Sequence, residues 1–143
     1  MKNLKYYIEN KELVDFSGNL DLENCSNLKS LGKLRSVSGY LNLNYCSNLE
    51  SLGNLESVVG FLNLQYCSSL TSLEELKYVD GVLDLKKCSK LTSLGKLKIV
   101  GGFLEIKDCS KLTSLGELEN IGGSIYGASK SIQEKYKGKF KFE

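Results

Sequence analysis

Residues 39–59, GYLNLNYCSNLESLGNLESVV, hold the pattern that decides the fold. Leu41 and Leu43 alternate with Tyr40, Asn42 and Asn44, as in a short strand with one buried face. The period then changes. Cys46, Leu49, Leu52, Leu55 and Val58 recur every third residue, which is neither the strand period nor a sustained helical stripe. Such spacing suits a return path of tight turns, 3₁₀ segments or polyproline-like pieces. A unit this short has little room for a helix on the way back.

The same stretch is repeated outward in both directions. The cysteines, Cys25, Cys46, Cys67, Cys88 and Cys109, stand 21 residues apart, and five copies begin at Gly18, Gly39, Gly60, Gly81 and Gly102. The unit reads G-x-L-x-L-x-x-C-S-x-L-x-S-L-G-x-L-x-x-V-x, and a sixth copy starts at Gly123 but departs soon after. A fixed period of this length marks a repeat architecture. One unit alone cannot bury its leucines, so each makes one coil of a stacked solenoid. At the usual strand spacing, five coils give a column about 24 Å long. The expected fold is a mainly β repeat solenoid with irregular or 3₁₀ return segments. Residues 1–17 form an N-terminal cap, 18–122 the repeats, and 123–143 a partial repeat with a C-terminal cap. Whether the return path makes a second sheet is left open.

Two glycine columns fit this reading. One, from Gly18 to Gly123, precedes the strands; the other, Gly32, Gly53, Gly95 and Gly116, sits in a bend. Such positions imply positive φ or close stacking of coil on coil. Glu74 interrupts the second column, so its coil must bend differently or carry strain. Ser26, Ser47, Ser68, Ser89 and Ser110 form one hydroxyl column, and Ser30, Ser51, Ser72, Ser93 and Ser114 another. Aligned hydroxyls of this kind bond backbone groups at bends.

Leu41-x-Leu43-x-x-Cys46-x-x-Leu49 resembles the strand segment of a leucine-rich repeat, with Cys where Asn often stands. The string from Leu49 onward, LxSLGxLxxVxGxLxL, also resembles the repeats of receptor L domains, although the extracellular, disulfide-capped character of those domains is missing. The resemblance covers about residues 13–126. It implies a right-handed superhelix with a parallel sheet along one side, and recognition of another macromolecule on an exposed face.

The 143 residues carry 19 Lys+Arg and 17 Asp+Glu, a net charge of +2, and no His, Pro or Trp. So small a balance gives no support to nucleic-acid binding through a large positive field. A single arginine, Arg35, speaks further against phosphate reading. No apolar run reaches membrane-spanning length, and residues 1–16 have no continuous apolar stretch of a secretion signal. Without His, the commonest general base and metal ligand are missing, and serine triads with them. The carboxylates Asp21, Asp84 and Glu105 converge with no base or nucleophile. The expectation is therefore no catalysis, no cofactor and no metal. An odd number of cysteines cannot all pair within one chain. A linear ladder without His is the wrong arrangement for zinc. Free, buried thiols in a reducing compartment are expected.

At the ends, Leu13 and Phe16 keep register with Leu34 and Val37, while Leu4, Tyr6, Tyr7 and Ile8 are placed to cover the first coil. Ser129 to Lys137 reads as a short helix capped by Ser129 or Ser131, with Ile132 and Tyr136 on one face, and Phe140 and Phe142 as a last strand. Residues 1–79 sum to −2 and residues 80–143 to +4, from 7 against 9 and 12 against 8 basic and acidic groups.

Residues flanking the strand leucines point outward, in columns. These are Asn19, Tyr40, Phe61, Val82, Phe103; Asp21, Asn42, Asn63, Asp84, Glu105; Glu23, Asn44, Gln65, Lys86, Lys107; and, just past the strand, Asn24, Tyr45, Tyr66, Lys87, Asp108. Aromatics and amides gather in coils two and three. Exposed aromatics on a rigid sheet are the usual anchors of protein interfaces. The expected partner-binding residues are Tyr40, Asn42, Tyr45, Phe61, Asn63, Gln65, Tyr66 and Phe103, in a non-catalytic protein–protein interaction module. Three alternatives are a ladder that only stacks on itself, a structural or self-assembling (homo-oligomeric) component, and a binder of a small polar ligand or sugar. The lysine-rich, arginine-poor composition suggests an AT-rich genome, that of a microbe or its virus, and the expected free thiols suggest a cytoplasmic location.

Overall fold

A computed structural model describes residues 14–143. The chain winds as a parallel β-solenoid with a 21-residue register. In chain order its strands are β1 (Asp15–Phe16), β2 (Leu20–Asp21), β3 (Ser36–Val37), β4 (Leu41–Asn42), β5 (Ser57–Val58), β6 (Leu62–Asn63), β7 (Tyr78–Val79), β8 (Leu83–Asp84), β9 (Ile99–Val100), β10 (Leu104–Glu105), β11 (Asn120–Ile121) and β12 (Ile125–Tyr126). The even-numbered strands stack into a six-stranded front sheet and the odd-numbered ones into a six-stranded return sheet. Leu41 lies opposite Leu20 and Leu62, and Val58 opposite Val37 and Val79. A third ladder of isolated bridges joins Ser30 to Ser51, and Ser93 to both Ser72 and Ser114.

The return path thus holds a second parallel sheet. Its strands are two residues long, too short for a period of two to show in the sequence. The three-residue spacing has a direct cause. Cys46 N–H donates to Leu43 C=O, Leu49 N–H to Cys46 C=O, and Leu55 N–H to Leu52 C=O, each at 3.1 Å. Three of the steps between inward residues, Leu43 to Cys46, Cys46 to Leu49 and Leu52 to Leu55, therefore join the two ends of hydrogen-bonded turns. Every one of these inward side chains from Leu41 to Val58 is buried.

The two glycine columns do different jobs. Gly53 has φ +58° and Gly95 φ +59°, the left-handed bend. Gly60 has no positive φ; a Cβ there would lie 2.8 Å from Gly39 C and Tyr40 N in the coil before, so from Gly39 onward this column is set by close stacking, whereas Gly18 has φ +103°. Of the two serine columns, the second caps the bends: Ser51 Oγ accepts from Gly53 N–H at 2.8 Å, and Ser93 Oγ from Gly95 N–H at 3.0 Å. Glu74 keeps the bend of its neighbours, at φ +50°, with its N–H on Ser72 Oγ at 3.0 Å. Its coil takes the strain rather than a new path, and the Glu74 carboxylate accepts from Ser51 Oγ at 2.9 Å. A left-handed non-glycine residue costs about 1–2 kcal/mol. Glu74→Gly is expected to raise stability by about 1 kcal/mol, the Ser51 hydrogen bond offsetting part of the relief. An upward shift of the urea midpoint is the check; a fall would mean that this bond outweighs the strain.

The C-terminal helix α1 (Lys130–Lys135) is capped by Ser129, whose Oγ accepts from Ile132 N–H at 3.2 Å. It is shorter than the 129–137 span because Tyr136 leaves helical geometry (φ −111°, ψ 20°). The Tyr136 hydroxyl instead accepts from Leu115 N–H at 2.9 Å. Ile132 is buried, and Tyr136, Phe140 and Phe142 pack on the core. Phe142 bridges to Ile125, with Ile125 N–H on Lys141 C=O at 2.8 Å and Glu143 N–H on Ile125 C=O at 2.9 Å. The tail thus adds one more rung to the front sheet. At the other end Phe16 lies opposite Val37; Leu4, Tyr6, Tyr7, Ile8 and Leu13 fall outside the described residues.

Candidate interaction surface

The front sheet exposes the side chains that alternate with its buried leucines. Its acidic and amide column closes turns. Oδ1 of Asn42 accepts from Asn44 N–H at 3.1 Å, that of Asn63 from Gln65 N–H at 3.0 Å, and that of Asp84 from Lys86 N–H at 3.0 Å. Asp21 and Glu105 do the same for Glu23 and Lys107. These are side-chain turns of the Asx kind, one per coil. Links between coils tie the column together: Asn42 Nδ2 to Asp21 Oδ1 at 3.1 Å, and Gln65 Nε2 to Asp84 Oδ2 at 2.8 Å. Asn42, Asn63 and Gln65 therefore carry structural bonds on the face where the sequence places them.

Immediately after each of these turns comes a residue in left-handed conformation. Asn24, Tyr45, Tyr66, Lys87 and Asp108 have φ of 59°, 61°, 60°, 62° and 61°. Asn and Asp tolerate this region; Tyr and Lys do so at a cost. Tyr45 and Tyr66 recover part of it by stacking, with ring centroids 4.4 Å apart and planes at 12°. Lys87 Nζ sits 5.4 Å from the Tyr66 ring centroid, a cation–π contact. On the other side of the strand Tyr40 and Phe61 stack at 4.8 Å and 6°.

Coils two and three thus hold Tyr40, Phe61, Tyr45, Tyr66, Asn42, Asn63 and Gln65 as neighbours in adjacent columns. Phe103 stands apart from Phe61 in its column, with Val82 in the coil between. Its ring instead meets Tyr126 edge-on at 5.3 Å and 75°. Tyr126 was not among the expected residues, though it lies one period after Glu105 in an outward column. Rings on this face remain open to solvent despite stacking: Tyr45 is 46% exposed, Phe61 43%, Phe103 40% and Tyr126 39%.

Behind the face runs the cysteine ladder. Four of its thiols donate to carbonyls of the preceding coil: Cys46 to Leu22 at 3.1 Å, Cys67 to Leu43 at 3.2 Å, Cys88 to Leu64 at 3.0 Å and Cys109 to Leu85 at 3.0 Å. Burial, the larger cause, and the neighbouring Cys46 push the Cys67 thiol up to about 12. Burial also pushes Cys109 up to about 12 and raises Cys88 strongly. No group of three or more His, Cys, Asp or Glu among the described residues is placed to hold a metal ion, and none of their helices is long and apolar enough to cross a membrane. A scan of protein-family models finds no match, and neither a search of curated proteins nor one of solved structures returns a similar protein.

Proposed function

We propose that the chain is a non-catalytic interaction module that binds another protein through the aromatic half of its front sheet. The observation that carries this reading is the pair of stacks, Tyr40–Phe61 and Tyr45–Tyr66, each with one exposed ring (Phe61, Tyr45) backed by a half-buried one (Tyr40, Tyr66) on a hydrogen-bonded sheet. Rigid aromatic anchors lose little entropy on binding. Two of them sit in left-handed positions that the turn alone would fill better with Asn or Gly, a local strain of the kind found at functional sites. The stacking geometry favours a protein over a sugar. A sugar platform needs a free ring face, whereas each of these four rings has one face covered by its stacking partner, and Lys87 Nζ lies over the Tyr66 ring as well.

The same reading extends to finer points. The coil is similar to leucine-rich repeats of the receptor L-domain kind. Thiols that each donate to a carbonyl suit a reduced, cytoplasmic protein. The acidic column, occupied with its turns, is free of catalytic duty.

Affinity capture from host lysate, comparing wild type with Tyr40→Ala/Phe61→Ala, tests the reading. The expected result is a partner retained by wild type and lost by the double variant. The fold should persist, because losing one exposed stack costs only about 1 kcal/mol. A partner held equally by both proteins would remove the front sheet from consideration.

A further inference from the structure

The two sheets end differently. The front sheet is closed by the Phe142 rung, but β11 of the return sheet has no strand beyond it among the described residues. In every inner coil the return sheet hands three carbonyls to the next coil. Lys98 C=O accepts from Glu119 and Asn120 N–H at 2.9 and 3.1 Å, Val100 C=O from Gly122 N–H at 2.8 Å, and Gly102 C=O from Gly123 N–H at 3.0 Å. Their successors, the carbonyls of Glu119, Ile121 and Gly123, accept no hydrogen bond from the described residues. The core shows the same gap. Val37, Val79 and Val100 are fully buried, while Ile121 in the same column is only partly buried.

We propose that this edge takes an extended segment of a partner protein as a seventh return strand, parallel to β11, with the pattern basic-x-(Val or Ile)-x-Gly. Strand addition of this kind draws affinity from main-chain bonds and specificity from alternate side chains. Each position of the pattern follows from the stack. The aliphatic residue continues the column that ends at Ile121. The glycine continues a column in which a Cβ would strike the backbone below, as at Gly102, 3.0 Å from Gly81 C. The basic residue faces Glu119, which is exposed and has no ion pair among the described residues. The chain writes this segment three times, as Arg35-Ser-Val37-Ser-Gly39, Lys77-Tyr-Val79-Asp-Gly81 and Lys98-Ile-Val100-Gly-Gly102. A second copy stacked end to end fits less well, since its first return strand offers Val14 at the basic position.

The test titrates ¹⁵N-labelled protein with a capped peptide copying residues 34–39, Leu-Arg-Ser-Val-Ser-Gly. Saturable shifts confined to the amides of residues 119–123 are expected. Glu119→Lys should weaken binding two- to fivefold, the range of a single exposed ion pair, and a peptide with Glu for Arg should recover it on that variant. Shifts elsewhere, no saturation, or equal affinity of wild type and Glu119→Lys would overturn the proposal. Concentration-dependent dimerisation blocked by Glu119→Lys would overturn it in favour of a second copy. Peptide binding should survive Tyr40→Ala/Phe61→Ala, which separates this edge from the front-sheet reading.

Discussion

Raising the pH from about 9 to 10 is expected to remove about 4 kcal/mol of stability through the thiol ladder alone. Cys67, Cys88 and Cys109 are buried and their thiols raised, two of them to about 12. In the unfolded chain a thiol ionises near pH 8.5. Below that value both states are protonated and the contribution is intact. Above it the unfolded chain sheds three protons that the folded chain keeps, so stability falls as pH rises towards the folded values. One proton per pH unit is about 1.4 kcal/mol, and three groups act together. Urea midpoints at pH 7.5, 9 and 10 measure the slope, with Cys67→Ala/Cys88→Ala as comparison. That variant starts less stable but should lose about a third as much per pH unit. The two proteins differ only at these two thiols, so the difference between their slopes isolates the ladder. Equal slopes would mean that the ladder does not hold neutral thiols in the folded state.

The ladder was legible in the sequence as a column of small buried residues, because a 21-residue phase places every cysteine on the same inward step. The front strand and the three-residue core spacing were equally open to reading. What stayed hidden was hydrogen bonding that depends on the neighbouring coil. The return strands are too short to display alternation. Asn42 and Asn63 read as surface amides, although their oxygens close the turn two residues on. Tyr45 and Tyr66 do not advertise a left-handed conformation. Only Asn24 and Asp108 in that column are residues that favour one, and two positions of five were too weak a signal. The alternation that buries the strand leucines and turns their neighbours outward was therefore open to reading. The division of labour among those neighbours, with amides holding turns and rings stacked beside them, shows only once the coils are stacked.

Gly60→Ala is expected to destabilise the solenoid by about 3 kcal/mol or more, the upper end of what overpacking costs. The added methyl group would meet Gly39 C and Tyr40 N at 2.8 Å and Gly39 O at 2.9 Å. All three are backbone atoms, so no rotamer change relieves the clash. The coils must separate, and the ladder on both sides resists: Gly60 N–H donates to Gly39 C=O at 2.8 Å, and Gly81 N–H to Gly60 C=O at 3.2 Å. Val59→Ala, one residue away and 52% exposed, should change stability by less than about 0.5 kcal/mol. Because each coil touches only its neighbours, the damage should be local. Amide exchange is expected to accelerate at Leu41, Leu43 and Leu62, whose N–H groups bond the next coil, and to stay slow near Leu104. Gly60 also directly precedes Phe61, so prising the coils apart separates the Tyr40–Phe61 stack. If the front sheet is the binding face, Gly60→Ala should therefore lose the partner in the folded state, at denaturant-free conditions where Val59→Ala retains it. A Gly60→Ala protein with wild-type midpoint would show that the stack of coils yields at this column, and the rigidity on which the aromatic anchors depend would be lost with it.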